Sequence, residues 1–248
     1  MQAPKSLDPA QPVPVVVVPH GYTQTSEQMY QFSGYAELAA DAGFVALFPD
    51  GQPASTGPWN IGAQACPSVF GVLPVGDGDD QAFLDAMLSF VEQDQCIDRE
   101  HVFVTGWSMG GYLSHQTGCL RKDIRAIGPH SAGTHDLSAC PAQHKPVIIF
   151  HGDADQLIPF DCGQQARERW VERNGCSTEV DVQAVKNGRC EFHRGCPADG
   201  QVAFCSFAGM NHGWAGGPDL QVLLYPSAYS TYESASQLGW SFFKKYAW

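Results

Sequence analysis

The sequence predicts an α/β protein with a mostly parallel sheet that is covered by helices on both faces. Apolar runs alternate along the chain with segments of helical periodicity, an order typical of parallel sheets. Hydrophobic residues make up 44% of the 248 residues, enough for a sizeable core. The length suits one domain over residues 1–248, in which residues 1–12, with three prolines, are expected to form an N-terminal tail.

The predicted strands are short apolar runs of the kind that is buried in a parallel sheet. The first run has four consecutive valines between Pro14 and Pro19. We expect strands at residues 14–19, 44–48, 101–105, 124–129, 147–150, 179–185 and 201–207.

The predicted helices lie between these runs. Tyr35 and Leu38 lie on one side of the first helix, and Asp79 and Asp80 suit the N-terminus of the second. The acidic residues at 77–80 lack an EF-hand spacing, so we expect helix capping there and no metal site. We expect helices at residues 26–42, 79–93, 109–120, 162–172 and 233–246, and a long loop at residues 51–80.

The charge of the chain argues against two classes of partner. There are 26 acidic and 14 basic side chains, which gives a formal net charge of −12. Such a surface repels nucleic-acid phosphates and anionic membranes. The apolar run at residues 15–18 is far shorter than the ~20 residues of a membrane span. We therefore expect no nucleic acid and no membrane as partners, and we infer no obligate protein partner from the sequence.

The cysteine usage is typical of a secreted protein with a disulfide framework. Nine cysteines lie between Cys66 and Cys205 without a CxxC pair, which disfavours a zinc ribbon or a thioredoxin-like motif. The odd number leaves at least one cysteine free or paired outside the chain. Residues 1–4 do not begin a secretory signal peptide, so we expect a mature extracellular form with an added start methionine.

Residues 106–111, Gly-Trp-Ser-Met-Gly-Gly, follow an apolar run and open a predicted helix. This is the context of a nucleophile elbow, in which a tight strand-to-helix turn projects a serine from the sheet. Small residues at positions 106 and 110 allow the strand and the helix to approach closely. Ser108 is therefore the predicted nucleophile of an α/β-hydrolase fold.

In such a fold the serine is followed along the chain by Asp or Glu, and then by His. Asp153 and Asp155 both follow a buried strand, where acidic side chains face the crevice of an open sheet. The pattern His-Gly-x-x-Asp-x-x-x-Pro over residues 151–159 resembles the acid loop of these hydrolases and favours Asp155, with a turn-forming role for Asp153. His212, the last of nine histidines, follows the last predicted strand and is the predicted base.

The loop after the first strand, residues 19–25, is predicted to supply part of an oxyanion hole. Such a site needs two backbone N–H donors. We assign those of Met109, directly after the nucleophile, and of Tyr22, the first residue after a His-Gly pair. His20 and His151 each precede a glycine at a strand end, so we interpret both as loop-shaping residues rather than bases.

Several motifs occur together and in order along the chain. They are residues 20–25, the helix from 79–80 to 86–87, Cys96-Ile97-Asp98, residues 106–111, Cys119 and residues 209–214. This combination resembles the secreted polyhydroxybutyrate depolymerase and feruloyl esterase group of α/β-hydrolases. The resemblance implies ester hydrolysis through Ser108, Asp155 and His212 with no metal or organic cofactor. The complete ordered triad disfavours a non-catalytic binding module.

The connection at residues 131–145 bears on access to the site, because many lipases insert a cap in this region. It is too short for one here, so we expect no lid domain and a cleft that admits a polymeric ester. The cysteine pattern at 96 and 119 looks more like the feruloyl esterase side of the group. We therefore expect a feruloyl or acetyl ester of plant cell-wall polysaccharide, with polyhydroxybutyrate as the alternative.

Three tryptophans are candidate substrate contacts. Trp59 in the long loop and Trp214 beside the predicted base offer flat faces for an aromatic acid or a sugar ring. Packing in the core is the alternative for both. Trp107, next to the nucleophile, is the third candidate.

Three disulfide bridges can be predicted from placement. Cys96 precedes the strand that leads to the elbow, and Cys119 lies about three turns into the helix that leads away from it. Because this strand and this helix run in opposite directions, both cysteines are expected at the end of the sheet opposite the elbow. Cys190 and Cys196 are six residues apart and can close a small loop. Cys176 and Cys205 flank that loop and can pair across neighbouring strands. We expect Cys96–Cys119, Cys190–Cys196 and Cys176–Cys205, and leave Cys66, Cys140 and Cys162 unassigned.

Overall fold

The computed structural model describes residues 1–4, 11–52, 57–141, 144–218 and 229–247. The strands are β1 (Val13–Val17), β2 (Val45–Leu47), β3 (Ile97–Val104), β4 (Ile124–Ile127), β5 (Val147–Gly152), β6 (Val180–Val185), β7 (Gly188–His193) and β8 (Val202–Phe207). They form one sheet in the order β2-β1-β3-β4-β5-β8-β7-β6. β7 pairs antiparallel with both β6 and β8, and the other pairs among the described strands are parallel.

Helices cover both faces of the sheet. They are α1 (Ser26–Ser33), α2 (Tyr35–Ala42), α3 (Asp80–Val91), α4 (Met109–Leu120), α5 (Phe160–Asn174) and α6 (Ala235–Phe243). α1, α2 and α6 pack on one face, and α3, α4 and α5 on the other. Two short 3-10 turns, Tyr229–Thr231 and Lys244–Tyr246, flank the last helix.

The first strand shows why an unbroken apolar run suits a central position in this sheet. Val16 and Val18 point into the cluster under α1, α2 and α6, whereas Val15 and Val17 point into the cluster under α3 and α5. Successive side chains of a strand face opposite ways, and both faces are dry here. The predicted fold class, a mostly parallel sheet between two helical layers, is confirmed.

The prediction of one helix over residues 26–42 is wrong, because the segment forms two helices. Gly34 lies between them with φ 73°, a left-handed conformation that ends α1 and precedes α2. Thr25 caps α1 through a reciprocal capping box with Gln28. The apolar periodicity continues across the break, so it does not reveal the break.

One strand, β7, was not predicted. It pairs with β6 as a hairpin and with β8 as an antiparallel neighbour. Asn187 takes φ 54° at the hairpin turn, and Gly188 begins the returning strand. An Asn-Gly pair is a strong hairpin signal, but charged side chains interrupt the apolar pattern of β7.

All three predicted disulfide pairs are wrong. The described residues contain four bridges, and Cys96 is the one cysteine among them outside a bridge, in agreement with the odd number. The bridges are Cys66–Cys162, Cys119–Cys140, Cys176–Cys196 and Cys190–Cys205.

The corrections follow from strand positions. Cys96 lies on the β1 side, where its carbonyl accepts the N–H of Val13, while α4 packs over β4 and brings Cys119 to the β4–β5 connection. Cys190 and Cys205 face each other directly in the β7–β8 register. Because β7 was missed, this direct pairing could not be anticipated. Its position leaves Cys176, after α5, to bond Cys196, after β7.

The chain termini and connections bear on two further expectations. Within the predicted tail, Gln2 forms an isolated backbone bridge with Ala46, and residues 5–10 lie outside the described residues. The single-domain assignment stays a prediction. The β4–β5 connection contains no helix in its described residues, which exclude 142–143. No helix in the described parts of the chain is long and apolar enough to cross a membrane.

Candidate active site

Connections at one edge of the sheet hold the residues assigned to catalysis. β1, β3, β5 and β8 run parallel, so their carboxyl ends meet at this edge, where open α/β sheets bind ligands. Ser108 follows β3, Asp155 follows β5 and His212 follows β8. All three residues are buried. Tyr22 lies in the connection after β1.

The turn that carries Ser108 is strained and tightly packed. Ser108 adopts φ 55° and ψ −116° directly before α4, a conformation that is costly for a residue with a side chain. A Cβ on Gly106 would lie 2.4 Å from the carbonyl oxygen of Gly110, and one on Gly110 would lie 2.1 Å from that of Pro19. Both positions therefore require glycine, which is the physical content of the Gly-x-Ser-x-Gly pattern.

Asp155 and His212 form a buried pair. His212 Nδ1 lies 2.8 Å from Asp155 Oδ2. The other carboxylate oxygen, Oδ1, accepts the backbone N–H groups of Leu157 and Ile158, both at 2.9 Å. The carboxylate is thus fixed by its own loop and points one oxygen at the histidine ring, which orients that ring.

The electrostatics of the pair favour an ionised Asp155. Burial alone would raise the pKa of this carboxyl group. The charge of His212 and the hydrogen bonds from His151 and His212 outweigh burial and hold the pKa of Asp155 well below its usual range. The carboxylate is therefore present at neutral pH and can stabilise a positive charge that develops on His212.

Asp153, the competing acid, has a different environment. Its Oδ1 accepts the backbone N–H of Gly209 at 2.6 Å, a contact that ties the acid loop to the loop after β8.

Asn211 makes a second tie between the two loops, because its Oδ1 accepts the N–H of His212 at 2.7 Å and that of Gln156 at 3.0 Å. Asn211 carries no signal in the sequence other than its place beside the histidine.

His151 also contacts the carboxylate. Its Nε2 lies 2.9 Å from the carbonyl oxygen of Ile158 and 3.4 Å from Asp155 Oδ2. Nδ1 faces Gly163, where a Cβ would lie 2.5 Å from this atom. The loop-shaping role expected from the sequence thus extends to direct contact with Asp155. The spacing His-Gly-x-x-Asp is the signal that brings the two side chains together.

The connection after β1 packs against the nucleophile elbow. The backbone N–H of Trp107 donates to Pro19 O at 3.3 Å, and a Cβ on Gly21 would lie 2.9 Å from the Trp107 ring. Among the described residues, neither the N–H of Tyr22 nor that of Met109 donates to a protein acceptor. Within the described chain, no protein acceptor therefore competes for the two donors assigned to the oxyanion hole.

Comparison with known proteins identifies a family for the chain. The model of the dienelactone hydrolase family matches residues 3–184. The chain belongs to the dienelactone hydrolase family. This match and the relatives below confirm the predicted resemblance to α/β-hydrolase esterases.

The chain is also similar to curated fungal proteins that are named feruloyl esterases. It is 36% identical over 144 residues to a probable feruloyl esterase C of Aspergillus niger, covering 55% of this chain and 52% of that protein. It is 33% identical over 172 residues to feruloyl esterase C of Emericella nidulans, covering 63% and 62% of the two chains. The chain thus spans only about half to three fifths of the length of these relatives.

Solved structures support the fold of this dienelactone hydrolase family member. An acetyl xylan esterase from Aspergillus awamori superposes with a TM-score of 0.68 over 98% of this chain and 92% of its own. Sequence identity is 16%, so this likeness concerns the fold alone.

Two of the three predicted tryptophan contacts are wrong in this family member. Trp59 is 1% exposed, and its Nε1–H donates to His20 O at 2.8 Å. Trp214 is fully buried, and its Nε1–H donates to Ser236 Oγ at 2.9 Å, while its ring stacks on His130. Neither ring offers a face to a substrate, so the alternative of core packing is correct for both.

Trp107 remains a candidate substrate contact. It is half-buried between the elbow and the ring of His212, with 4.8 Å between the ring centroids. Its ring also packs against that of Phe32, with 5.1 Å between the ring centroids. Trp107 therefore forms a wall beside the predicted base.

One group in the described residues has the spacing of metal ligands. Donor atoms of Cys119, His135 and Cys140 lie within 4.8 Å of one another. The two sulfur atoms are bonded to each other, however, so neither is a thiolate that could bind a metal.

Proposed function

We propose that the chain is a serine carboxylic-ester hydrolase that acts on feruloyl or acetyl esters of plant cell-wall polysaccharide. The observation that carries this proposal is the pairing of His212 Nδ1 with Asp155 Oδ2 at the sheet edge where β3 presents Ser108 on a strained turn. This is the arrangement that makes a serine hydroxyl nucleophilic.

In the proposed acylation step, Ser108 Oγ attacks the ester carbonyl and His212 Nε2 accepts the hydroxyl proton. Asp155 holds the Nδ1–H tautomer and stabilises the imidazolium that forms. The tetrahedral oxyanion accepts the backbone N–H groups of Met109 and Tyr22. His212 then returns the proton to the leaving alcohol, and an acyl-Ser108 ester remains.

Deacylation repeats the same proton transfers with water. His212 removes a proton from water as the water attacks the acyl-enzyme carbonyl, and the same two N–H groups stabilise the second oxyanion. Collapse of this intermediate releases the carboxylic acid and restores Ser108. Each step uses groups of this chain, so the proposal involves no cofactor.

Two lines of support bear on the substrate. The similar curated proteins from Aspergillus niger and Emericella nidulans are named feruloyl esterases, and the similar solved structure is named an acetyl xylan esterase. The absence of a helix in the described part of the β4–β5 connection is consistent with access for a bulky ester. A polymeric ester is therefore the partner we propose.

We also propose that the protein works outside the cell. Four disulfide bridges in the described residues support this location, because such frameworks persist in oxidising compartments.

A substrate panel tests the proposal. Methyl ferulate, acetylated xylan and a polyhydroxybutyrate film are compared at equal enzyme concentration, with the Ser108→Ala variant as control. We expect release of ferulate or acetate, and a loss of about 10⁴-fold or more in the variant, whose circular dichroism should match that of the parent. Clearing of the film with negligible release of ferulate or acetate would instead favour a polyester depolymerase.

A further inference from the structure

The segment from Val69 to Val75, which we call the rim segment, exposes an unusual set of apolar side chains. Isolated exposed apolar residues are common on protein surfaces, whereas contiguous groups mark binding sites. Here four exposed side chains fall within seven residues. They are Val69, Phe70, Val72 and Val75, with exposed fractions of 54%, 81%, 69% and 45%.

The rim segment is firmly held by its neighbours. Just before the rim segment, the bridge from Cys66 to Cys162 ties the chain to α5, and Tyr112 O–H donates to Cys66 O. Gln64 pairs with the backbone of Leu73 through both side-chain atoms, at 2.9 and 3.0 Å. A binding surface held in this way loses little conformational entropy when a ligand binds.

The rim segment also adjoins the proposed catalytic residues. The Val69 N–H donates to Leu157 O at 2.9 Å, and the Leu157 N–H donates to Asp155 Oδ1. Leu73 packs against the cluster that contains Met109, which carries one of the oxyanion donors. The exposed side chains therefore border the mouth of the site, on the side of the acid loop.

The charge of this region restricts what can bind there. Residues 57–76 contain no Asp, Glu, Lys, Arg or His, in a chain whose net charge is −12. A charged partner would find no counter-charge on the rim segment. An uncharged polymer with apolar ring faces, such as a polysaccharide, matches the rim segment in both charge and polarity.

We propose that the rim segment binds the sugar chain of the polymeric ester, with the ring of Phe70 packed on the face of a sugar next to the esterified unit. This inference rests on the proposed function, because it assigns a second contact to the same substrate. It adds a binding surface that lies outside the triad and the oxyanion hole. The valines on either side of Phe70 widen the apolar strip.

A matched pair of variants tests this proposal. Phe70→Ser removes the central aromatic ring, whereas Phe90→Ser removes a comparably exposed ring (67%) near the end of α3. α3 leads back to the start of β3, so Phe90 lies at the end of the sheet opposite the site. Val72→Ser replaces Phe70→Ser if the latter fails to fold by circular dichroism.

Binding is measured by affinity electrophoresis in native gels that contain acetylated xylan, in a Ser108→Ala background that does not consume the polymer. We expect Phe70→Ser to raise the dissociation constant about fivefold to tenfold, as the loss of one aromatic contact predicts. Phe90→Ser should leave it unchanged. Absence of retardation in the parent, or equal retardation of all variants, would overturn the proposal.

Turnover gives a second readout in the active background. We expect Phe70→Ser to lower the ratio of kcat/KM on acetylated xylan to that on 4-nitrophenyl acetate by a similar factor. If the parent hydrolyses neither ester, the proposed function fails. The gel assay still tests separately whether the rim segment binds acetylated xylan. Two other results would assign the rim segment to another partner and overturn the inference. One is a change of oligomeric state that depends on Phe70. The other is adsorption to a polyester film that depends on Phe70, without retardation by xylan.

Discussion

At the residue scale, the acid loop shows how two carboxylates only two positions apart acquire different roles. Asp155 faces His212 and is held by two backbone N–H groups, whereas Asp153 accepts one N–H from the loop after β8. The sequence pattern favours Asp155 as the acid, and the structure places Asp155 rather than Asp153 against His212. The distinction matters because only a carboxylate on Nδ1 stabilises the productive histidine tautomer.

We expect Asp155→Asn to lower kcat/KM by about 10⁴-fold, because an amide neither holds the tautomer nor stabilises the imidazolium. Asp153→Asn should change it by less than about tenfold, since its contact is structural. Steady-state hydrolysis of 4-nitrophenyl acetate by both variants, with circular dichroism as the folding control, measures the difference. The reverse ranking would assign the acid role to Asp153.

His151 allows a second prediction at this scale. His151→Leu removes the donor at Ile158 O and Asp155 Oδ2, leaving a buried carbonyl without a partner at a cost of about 1–3 kcal/mol. The carboxylate also loses a stabilising contact, so its attraction for the imidazolium of His212 increases. We expect a lower kcat and an acid limb of the kcat/KM profile that moves to higher pH.

His151→Gln is the control for this change, because its side-chain amide can still donate a hydrogen bond. It should restore part of the lost activity, and it should return the acid limb most of the way to its wild-type position. If the profiles of wild type and His151→Leu coincide, His151 has no influence on Asp155.

At the residue scale, spacing along the chain indicates which side chains lie near each other, whereas isolated side chains carry no such information. Ser108, Asp155 and His212 follow strand ends in a fixed order, and the structure brings Asp155 and His212 together. Trp59 and Trp214 have no such pattern. Each indole N–H finds a buried acceptor far along the chain, which a local sequence does not reveal.

At the scale of elements, apolar runs predicted the parallel strands well because both sheet faces are buried. The failures have local causes. The left-handed Gly34 divides a continuous apolar pattern into two helices. β7 is the second strand from the β6 side of the sheet and carries charged residues. It therefore lacks the apolar run that predicts the other strands. Missing this strand also led to wrong disulfide pairs.

The disulfides allow a prediction at this scale, because the bridges close loops of different length. Cys66–Cys162 spans 96 residues and Cys190–Cys205 spans 15. Loop-closure entropy predicts a loss of about 4–5 kcal/mol in unfolding free energy on removing the first bridge and about 3 kcal/mol for the second. Double Cys→Ser variants in urea unfolding measure the two losses.

Cys96→Ser is the matched control, because Cys96 is outside any bridge in the described chain and its replacement breaks none. Its unfolding free energy should stay close to that of the parent. Equal losses for the two double variants would show that loop length does not set the contribution of these bridges.

At the scale of the whole molecule, the site exists only because distant segments share one sheet edge. The connections after β1, β3, β5 and β8 each contribute one part of the proposed machinery, so the strand order along the chain already suggests the assembly. The sequence does not reveal how the loops are tied together. Contacts such as Asp153 with Gly209 depend on the folded backbone.

Buried histidines should make the stability of the whole molecule dependent on pH. Burial holds the pKa of His115 and of His130 well below the usual value, and nearby charges on His135 and His151 lower that of His115 further. Above about pH 6.5 these histidines are neutral in both the folded and the unfolded chain. Below it, the unfolded chain binds protons that the folded chain excludes, so stability falls as pH falls.

Each such histidine contributes a slope of about 1.4 kcal/mol per pH unit between the unfolded and the folded pKa, so two give about 3 kcal/mol per unit. The lowered pKa of Asp155 acts only below about pH 4, where its unfolded form becomes protonated. We therefore expect the free energy of unfolding to decrease as the pH falls below about 6.5, as measured by urea titration at several pH values.

His130→Phe separates this effect from general acid sensitivity. The ring of His130 stacks between Phe150 and Trp214, so phenylalanine can preserve the packing while it removes one proton site. The variant loses the contact to Thr105 and should be less stable at every pH. Its slope below pH 6.5 should nevertheless be shallower by about 1.4 kcal/mol per pH unit, since one fewer histidine is kept neutral by folding. A slope equal to that of the parent would show that His130 takes up its proton without unfolding the protein, and acid sensitivity would then have to originate in the other buried groups.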